Sequence, residues 1–173
     1  MTTLTLWTSV PTRNPSAVRS SSSWLRGLRV YLGCIAVGNL IWESLQLQLY
    51  TLWATGTVGE QIVAVTHCWI SDVLIALSAL TLALLIGGDR TWPVGRFWHV
   101  AAFALIFGIA FTFFSEWLNV GIRASWTYSE QMPVVSAFGS RIGISPLLQW
   151  IVVPAATVAI TKCVAWLAIK QSN

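Results

Sequence analysis

Charged residues are scarce in this sequence. Asp, Glu, Lys and Arg together make up 9% of its 173 residues, against about 25% in a typical soluble domain. Apolar residues account for 55%, above the soluble average of about 45–50%. So few charges leave little of the chain suited to face water, and the composition is typical of a membrane protein. It gives no support for a nucleic-acid partner, because no basic patch is visible.

Paired cysteines are missing as well. The three cysteines, Cys34, Cys68 and Cys163, lie in different apolar stretches, and no Cys-x-x-Cys motif occurs. An odd number of thiols at such positions does not predict a disulfide framework. We interpret them as small buried apolar residues, and they indicate nothing about the redox compartment.

Long apolar stretches make up most of the sequence. Four stretches each reach the ~20 residues that an α-helix needs to cross about 30 Å of hydrocarbon. They cover about residues 30–53, 62–86, 97–120 and 146–169. The pattern predicts an all-α fold, a polytopic membrane protein whose residues 28–173 form a four-transmembrane-helix bundle. Many of the eleven tryptophans lie near predicted span ends, as in an interfacial aromatic belt.

The basic residues predict the orientation of the bundle. Residues 1–27 are rich in Ser and Arg and free of acid, as in a cytoplasmic tail or an organelle transit peptide. The lack of a clear amphipathic period favours the tail. The second loop contains Arg90 and Arg96, whereas the first, about residues 54–61, has neither Lys nor Arg. The positive-inside rule therefore places both termini in the cytoplasm, and we expect a bacterial inner membrane.

Carboxylates inside the predicted spans are the strongest functional signal. Glu43, Asp72 and Glu116 are three of only six acidic residues. A carboxylate at mid-membrane costs at least a few kcal/mol, so such residues usually face a bundle interior or a wet cavity. At about 1.5 Å of rise per residue, the spans place their polar side chains in the outer half of the bilayer. One shared cavity is therefore predicted there, with the loop at residues 123–141 as its lid.

The polar residues of that outer half form the candidate site. We predict Glu43 and Glu116 as the catalytic pair, with His67 as proton partner and Asp72 as a further catalytic candidate. One acidic group can protonate an alkene or a carbonyl while a second group takes a proton back. A further set of polar or aromatic side chains is predicted to bind the substrate, namely Asn39, Gln46, Tyr50, Ser115, Asn119, Arg123, Trp126 and Gln149.

A metal site is an alternative interpretation of the same cluster. Glu43, His67 and Glu116 offer oxygen and nitrogen ligands from three helices, a set that can bind one divalent ion such as zinc, iron or manganese. Neither the Glu-x-x-His pattern of di-iron bundles nor a His-Glu-x-x-His helix is present. The sequence therefore leaves the metal open.

Each polar group also has a purely structural interpretation. Glu116 could form an ion pair with Arg123, which lies seven residues later on the same helix face. His67 could be a core histidine bonded to a neighbouring carbonyl. Asn39 and Gln46 could join helices through side-chain hydrogen bonds, each worth about 0.6–2 kcal/mol in a membrane.

Short motifs carry two resemblances. Trp42-Glu43 with Tyr50 downstream resembles a Trp/Glu/Tyr pattern in the first helices of membrane-integral terpene cyclases, which have more spans than this chain. A wider pattern is similar to small four-span bacterial inner-membrane proteins with no assigned activity. It is carried by residues 115–119 (SEWLN), 126–129 (WTYS), 132–133 (MP) and 145–150 (SPLLQW). That second resemblance supplies no function.

The leading hypothesis is a membrane-embedded enzyme or binding protein. Its outer-half pocket would bind or convert a small lipidic or isoprenoid-like molecule by acid–base chemistry, and the sequence does not decide between binding and catalysis. One alternative is an accessory or assembly subunit of a larger membrane complex. Another is a small transporter or proton-conducting protein. The inner halves of the predicted spans are nearly pure Leu, Ile, Val and Ala, which argues against a continuous polar path across the membrane. The expected partners are the lipid bilayer, a lipidic ligand, and a membrane-protein partner or a second copy of this chain.

Overall fold

Four long helices dominate the molecule. The computed structural model describes residues 15–89, 92 and 95–170. The long helices are α1 (Pro15–Gln46), α3 (Val58–Gly87), α4 (Phe97–Glu116) and α5 (Ile144–Lys170), and α2 (Leu52–Thr55) is a single short turn. Within the described residues, four helices are long and apolar enough to cross a membrane. The four membrane-length helices expected from the sequence are therefore confirmed.

The first helix differs from the predicted first span at both ends. It begins at Pro15, inside the segment predicted as a tail, while residues 1–14 lie outside the described part of the chain. It ends at Gln46, short of the predicted end at residue 53. A 3₁₀ turn follows, and Tyr50 then takes an extended backbone conformation. That conformation lets Tyr50 pair with Tyr128 in an antiparallel β-bridge, so a contact from a distant segment ends the helix.

The next long helix begins four residues earlier than predicted because of a capping box. The Thr57 hydroxyl accepts a hydrogen bond from the Glu60 amide at 3.3 Å, and the Glu60 carboxylate accepts one from the Thr57 amide at 2.8 Å. This reciprocal pair satisfies two amides that a helix start otherwise leaves open. Helix α3 therefore starts at Val58.

A β-hairpin interrupts the otherwise helical architecture. Strand β1 (Val134–Ala137) pairs antiparallel with β2 (Ser140–Gly143). Both residues of the tight turn have positive φ, 49° at Phe138 and 73° at Gly139, as the primed turns of two-residue hairpins require. The all-α prediction holds for the long helices and is wrong for this loop, where it misses the hairpin.

The apolar core occupies one half of the bundle. It includes Ile35 of α1, Leu80 of α3 and Val100 of α4, all at most 3% exposed. Small residues such as Ala76 and Ala83 let α3 approach its neighbours closely. The outward surfaces of the helices remain apolar. The other half of the bundle is the polar one, and it contains the candidate site.

Candidate functional site

One cavity of about 510 Å³ lies at the end of the bundle where α1 and α4 finish and α3 and α5 begin. Small-molecule sites typically measure about 300–1,000 Å³. Eleven of the twelve predicted site residues line it: Glu43, Gln46, Tyr50, His67, Asp72, Ser115, Glu116, Asn119, Arg123, Trp126 and Gln149. The twelfth, Asn39, is not part of the cavity lining, but its side chain accepts a hydrogen bond from Gln149, which is. The chain thus brings the candidate residues together, while their catalytic and binding roles stay predictions.

Side-chain amides tie three helices together on one wall of this cavity. The Gln46 amide nitrogen donates to Glu43 Oε1 at 2.6 Å and to Gln149 Oε1 at 3.2 Å. The Gln149 nitrogen donates in turn to Asp72 Oδ2 at 2.7 Å and to Asn39 Oδ1 at 3.0 Å. Gln149 is 2% exposed and Asn39 equally so. The interhelical hydrogen bonds of the structural interpretation are present, and they also hold both carboxyl groups in place.

Glu43 and Asp72 form a buried carboxyl pair. Their carboxyl groups lie within interaction range of each other, and the Trp150 indole lies close to Asp72. Glu43 is 7% and Asp72 9% exposed. Two carboxylates in contact repel each other when both are ionised, so the contact is favourable when one proton lies between them. Of the acidic residues, Asp72 is thus the direct partner of Glu43.

Glu116, the last residue of α4, has a different partner. The Tyr128 hydroxyl donates a hydrogen bond to its carboxylate, and the Gly143 amide donates to the same hydroxyl at 2.9 Å. Burial raises the pKa of the Tyr128 phenol above its ordinary value, and the negative charge of Glu116 raises it further. The phenol therefore remains a donor to Glu116 into alkaline solution. Glu116 is held by Tyr128, while Arg123 is exposed at the rim.

Tyr128 was not predicted as a site residue, although it belongs to the loop predicted as a lid. It lies in an irregular segment twelve residues after Glu116, where no helical spacing connects the two. Its position depends on the bridge to Tyr50, supported by hydrogen bonds from the Thr51 amide to Thr127 O (3.0 Å) and from the Ser129 amide to Leu49 O (2.9 Å). We call residues 49–51 and 127–129 the strap. It joins the end of the first span to the loop that sequence analysis predicted as a lid.

His67 lies at the cavity rim and is exposed. Glu43 and Glu116 are buried deeper, so the three predicted metal ligands are not gathered around one point. Within residues 15–89, 92 and 95–170, no group of three or more His, Cys, Asp or Glu side chains is arranged to hold a metal ion.

Two buried polar atoms on the cavity wall have no hydrogen-bond partner. They are Thr112 Oγ1, on a side chain that is 6% exposed, and the indole nitrogen Nε1 of Trp126. Trp126 lies close enough to the Glu116 carboxylate to interact with it, but no acceptor meets hydrogen-bond geometry. Thr112 lies three residues before Ser115 and four before Glu116, on the same polar stripe of the helix, but it was not predicted as a site residue.

Fold and site together define a helical bundle of membrane-length helices with a carboxyl-rich cavity at one end. No family model, curated protein or solved structure matches this chain. A fold of this kind does not specify an activity, so function has to be argued from the chemistry of the site.

Proposed function

We propose that this chain is an integral protein of the bacterial inner membrane, with both termini in the cytoplasm and the cavity in the outer half of the bilayer. Large apolar side chains cover the outward helix faces, with Val63 68% and Leu85 77% exposed. Such surface suits lipid and not water. The distribution of Lys and Arg between the loops supports the orientation, and the wider motif resemblance supports the choice of membrane.

The orientation is testable by cysteine labelling in intact cells. In a variant whose three native cysteines are serine, Glu130→Cys in the loop after α4 should react with a membrane-impermeant maleimide. Asp89→Cys, just after α3, should react only once the membrane is opened. Both positions are exposed. The reverse pattern would contradict the proposed sides.

The cavity's proposed task is to bind a small lipidic, isoprenoid-like molecule and exchange protons with it. The observation that carries this proposal is the convergence of three buried carboxyl groups, those of Glu43, Asp72 and Glu116, on one cavity of about 510 Å³. Burying acidic groups costs free energy unless they are well paired. A bundle that needed only interhelical hydrogen bonds could use amides alone. The three buried acids are therefore best explained by a chemical role.

The two kinds of carboxyl environment suit the two roles of acid–base catalysis. Glu43 and Asp72 contact each other, and their shared proton makes this pair the proposed acid. Glu116 accepts a hydrogen bond from the Tyr128 phenol and not from a second acid, which makes it the proposed base. Pairs of titratable groups in contrasting environments are the usual basis of such assignments.

The remaining wall of the cavity suits an apolar substrate. Ile75 and Leu47 offer aliphatic surface, and Trp150 and Tyr50 offer aromatic rings. Aromatic faces stabilise a developing positive charge by about 0.5–2 kcal/mol, which would assist protonation of an alkene. At the rim, His67 is the proposed proton partner, and Arg123 is proposed to orient the molecule.

Proton transfer to carbon can be detected without knowing the substrate. The purified protein is incubated in heavy water with a lipid extract of its own membrane, and the lipids are examined by mass spectrometry. Wild type should introduce deuterium into one lipid class. Glu116→Gln should slow this by at least about 100-fold, since a positioned acid or base typically contributes 10²–10⁴.

Glu130→Gln is the matched control, because Glu130 is exposed and does not line the cavity. It should label lipids as wild type does. Melting in detergent should be nearly the same for all three proteins. Unchanged labelling in a folded Glu116→Gln protein would exclude the proposed base, and loss of folded protein would assign Glu116 a structural role.

The subunit and transporter alternatives draw less support from these contacts. A subunit interface would need polar groups directed outward, whereas Gln46 and Gln149 bond within the chain. A conducting path would need polar groups throughout, whereas the half of the bundle around Ile35 and Leu80 buries no charged side chain among the described residues. The lipid-binding, acid–base function is therefore the one we propose.

A further inference from the structure

Thr112 is one of two buried hydroxyl residues without a hydrogen-bond partner in the described parts of the long helices, and the other is Thr161. Ser44, Ser71 and Thr81 each donate to the carbonyl four residues earlier, at 2.8–2.9 Å. The Thr112 hydroxyl has no partner, although its side chain is only 6% exposed. It lies on the cavity wall, one helical turn before Glu116. An unpaired buried hydroxyl costs free energy, and a bound molecule would recover it.

Trp126 provides a second unsatisfied hydrogen-bonding group, close to the Glu116 carboxylate. Its indole N–H is buried without an acceptor in hydrogen-bond geometry and lies near Glu116. An indole N–H can only donate, so the group that completes it must be an acceptor. The threonine hydroxyl can donate or accept. The two side chains therefore flank Glu116 with hydrogen-bonding capacity that a single ligand group could satisfy.

We infer that the cavity holds its lipidic ligand by one neutral oxygen, a carbonyl or hydroxyl group, placed beside Glu116 by Thr112 and Trp126. This inference rests on the proposed function and names its substrate class. An ammonium group has no lone pair for the Trp126 N–H. A carboxylate or phosphate would lie near three carboxyl groups, and burying like charges together is unfavourable. A neutral oxygen avoids both conflicts.

The position of this oxygen agrees with the proposed proton transfer. Bound there, it lies next to the carboxylate assigned as base, and its apolar remainder can contact Ile75 and Trp150. Polar contacts of this kind fix the orientation of a ligand whose surface is otherwise apolar. The oxygen would thus determine which carbon faces the carboxyl groups.

Four probes with the same twelve-carbon chain test the headgroup. They are dodecan-2-one, dodecane, dodecylammonium and dodecanoate, each titrated into the full-length protein in lipid nanodiscs while its melting is followed. A ligand that binds only the folded state raises the melting temperature. The ketone should raise the melting temperature of wild type most, and at the lowest concentration.

Thr112→Val tests the assigned hydroxyl, with Thr161→Val as its matched control. Thr161 is also buried and unpartnered, but it lines a separate small void. Neither change removes a hydrogen bond, so without probe both variants should melt at or above the wild-type temperature. Thr112→Val should weaken ketone binding roughly fivefold, the loss expected for one hydrogen bond. Thr161→Val should bind it as wild type does, and Thr112→Ser should retain most of the affinity.

The outcomes distinguish a failure of this inference from a failure of the proposed function. If dodecanoate or dodecylammonium is the best probe, or if Thr112→Val binds the ketone as tightly as wild type, the neutral-oxygen assignment is wrong and lipid binding stands. If none of the four probes shifts the melting of wild type, the cavity is not a site for such molecules. Both the inference and the proposed function then fall.

Discussion

At the scale of single residues, the sequence identifies which side chains matter better than it identifies their partners. Glu43, Asp72 and Glu116 could be singled out because a carboxyl group in an apolar span is costly. Their partners depend on the rotation of each helix about its axis, which no spacing along one helix reveals. Glu43 therefore contacts Asp72, and Glu116 bonds to a tyrosine from a distant loop.

The Tyr128–Glu116 contact predicts a specific pH dependence. Burial and the Glu116 charge raise the phenol pKa above its ordinary value of 10.0. A group whose pKa is raised by folding contributes its full stabilisation below the ordinary value and loses it as pH rises through the folded-state value. Tyr128 should thus stabilise the protein fully up to about pH 10 and progressively less in stronger alkali.

Ultraviolet titration of tyrosinate checks this prediction. The absorbance difference between wild type and Tyr128→Phe should show no ionisation of Tyr128 at pH 10, where a free tyrosine is about half ionised. The same pair unfolded in denaturant serves as control and should titrate normally. A half-ionised signal from Tyr128 in the folded protein at pH 10 would refute the buried contact.

At the scale of the elements, the apolar helices were predictable and their ends only partly so. The Thr57-x-x-Glu60 capping box can be read directly from the sequence, and it explains the early start of α3. The end of α1 at Gln46 could not be found locally, because Leu47 and Leu49 continue the apolar pattern. A bridge between Tyr50 and Tyr128 ends the helix, and such tertiary contacts override local propensity.

The close packing of α4 against α5 gives a second prediction. A Cβ on the buried Gly108 would overlap the indole ring of Trp150. Trp150 is 3% exposed and lies close to Asp72, so it has little room to move. Gly108→Ala should therefore destabilise the protein by about 1–3 kcal/mol, the usual cost of overpacking, as measured by unfolding in mixed micelles.

Gly33→Ala is the control for that experiment. A Cβ at Gly33, also inside a long helix, meets no atom within 4 Å. It should leave stability unchanged or raise it by up to about 1 kcal/mol, because alanine favours the helix over glycine. The packing account is wrong if Gly108→Ala unfolds at the same denaturant concentration as Gly33→Ala.

At the scale of the whole molecule, polarity is divided between the two ends of the bundle. The depth of each polar residue can be counted from the end of its predicted span. Because successive spans run in opposite directions, these depths predict one polar half and one apolar half of the bundle. How the polar end is closed was not predictable. The strap and the β-hairpin arise from pairings among loop residues, and a Phe138-Gly139 turn lacks the usual Asn-Gly or Asp-Gly signal.

Native mass spectrometry of protein extracted gently from its own membrane would show whether the cavity holds a small lipidic molecule. Ala64 lines the cavity, whereas Ala110 is exposed on α4 and does not. Ala64→Trp should fill the cavity, and Ala110→Trp adds the same bulk outside it. Wild type and Ala110→Trp should carry the same bound lipidic molecule, and folded Ala64→Trp should lack it. An empty wild type, or equal occupancy in Ala64→Trp, would contradict the account.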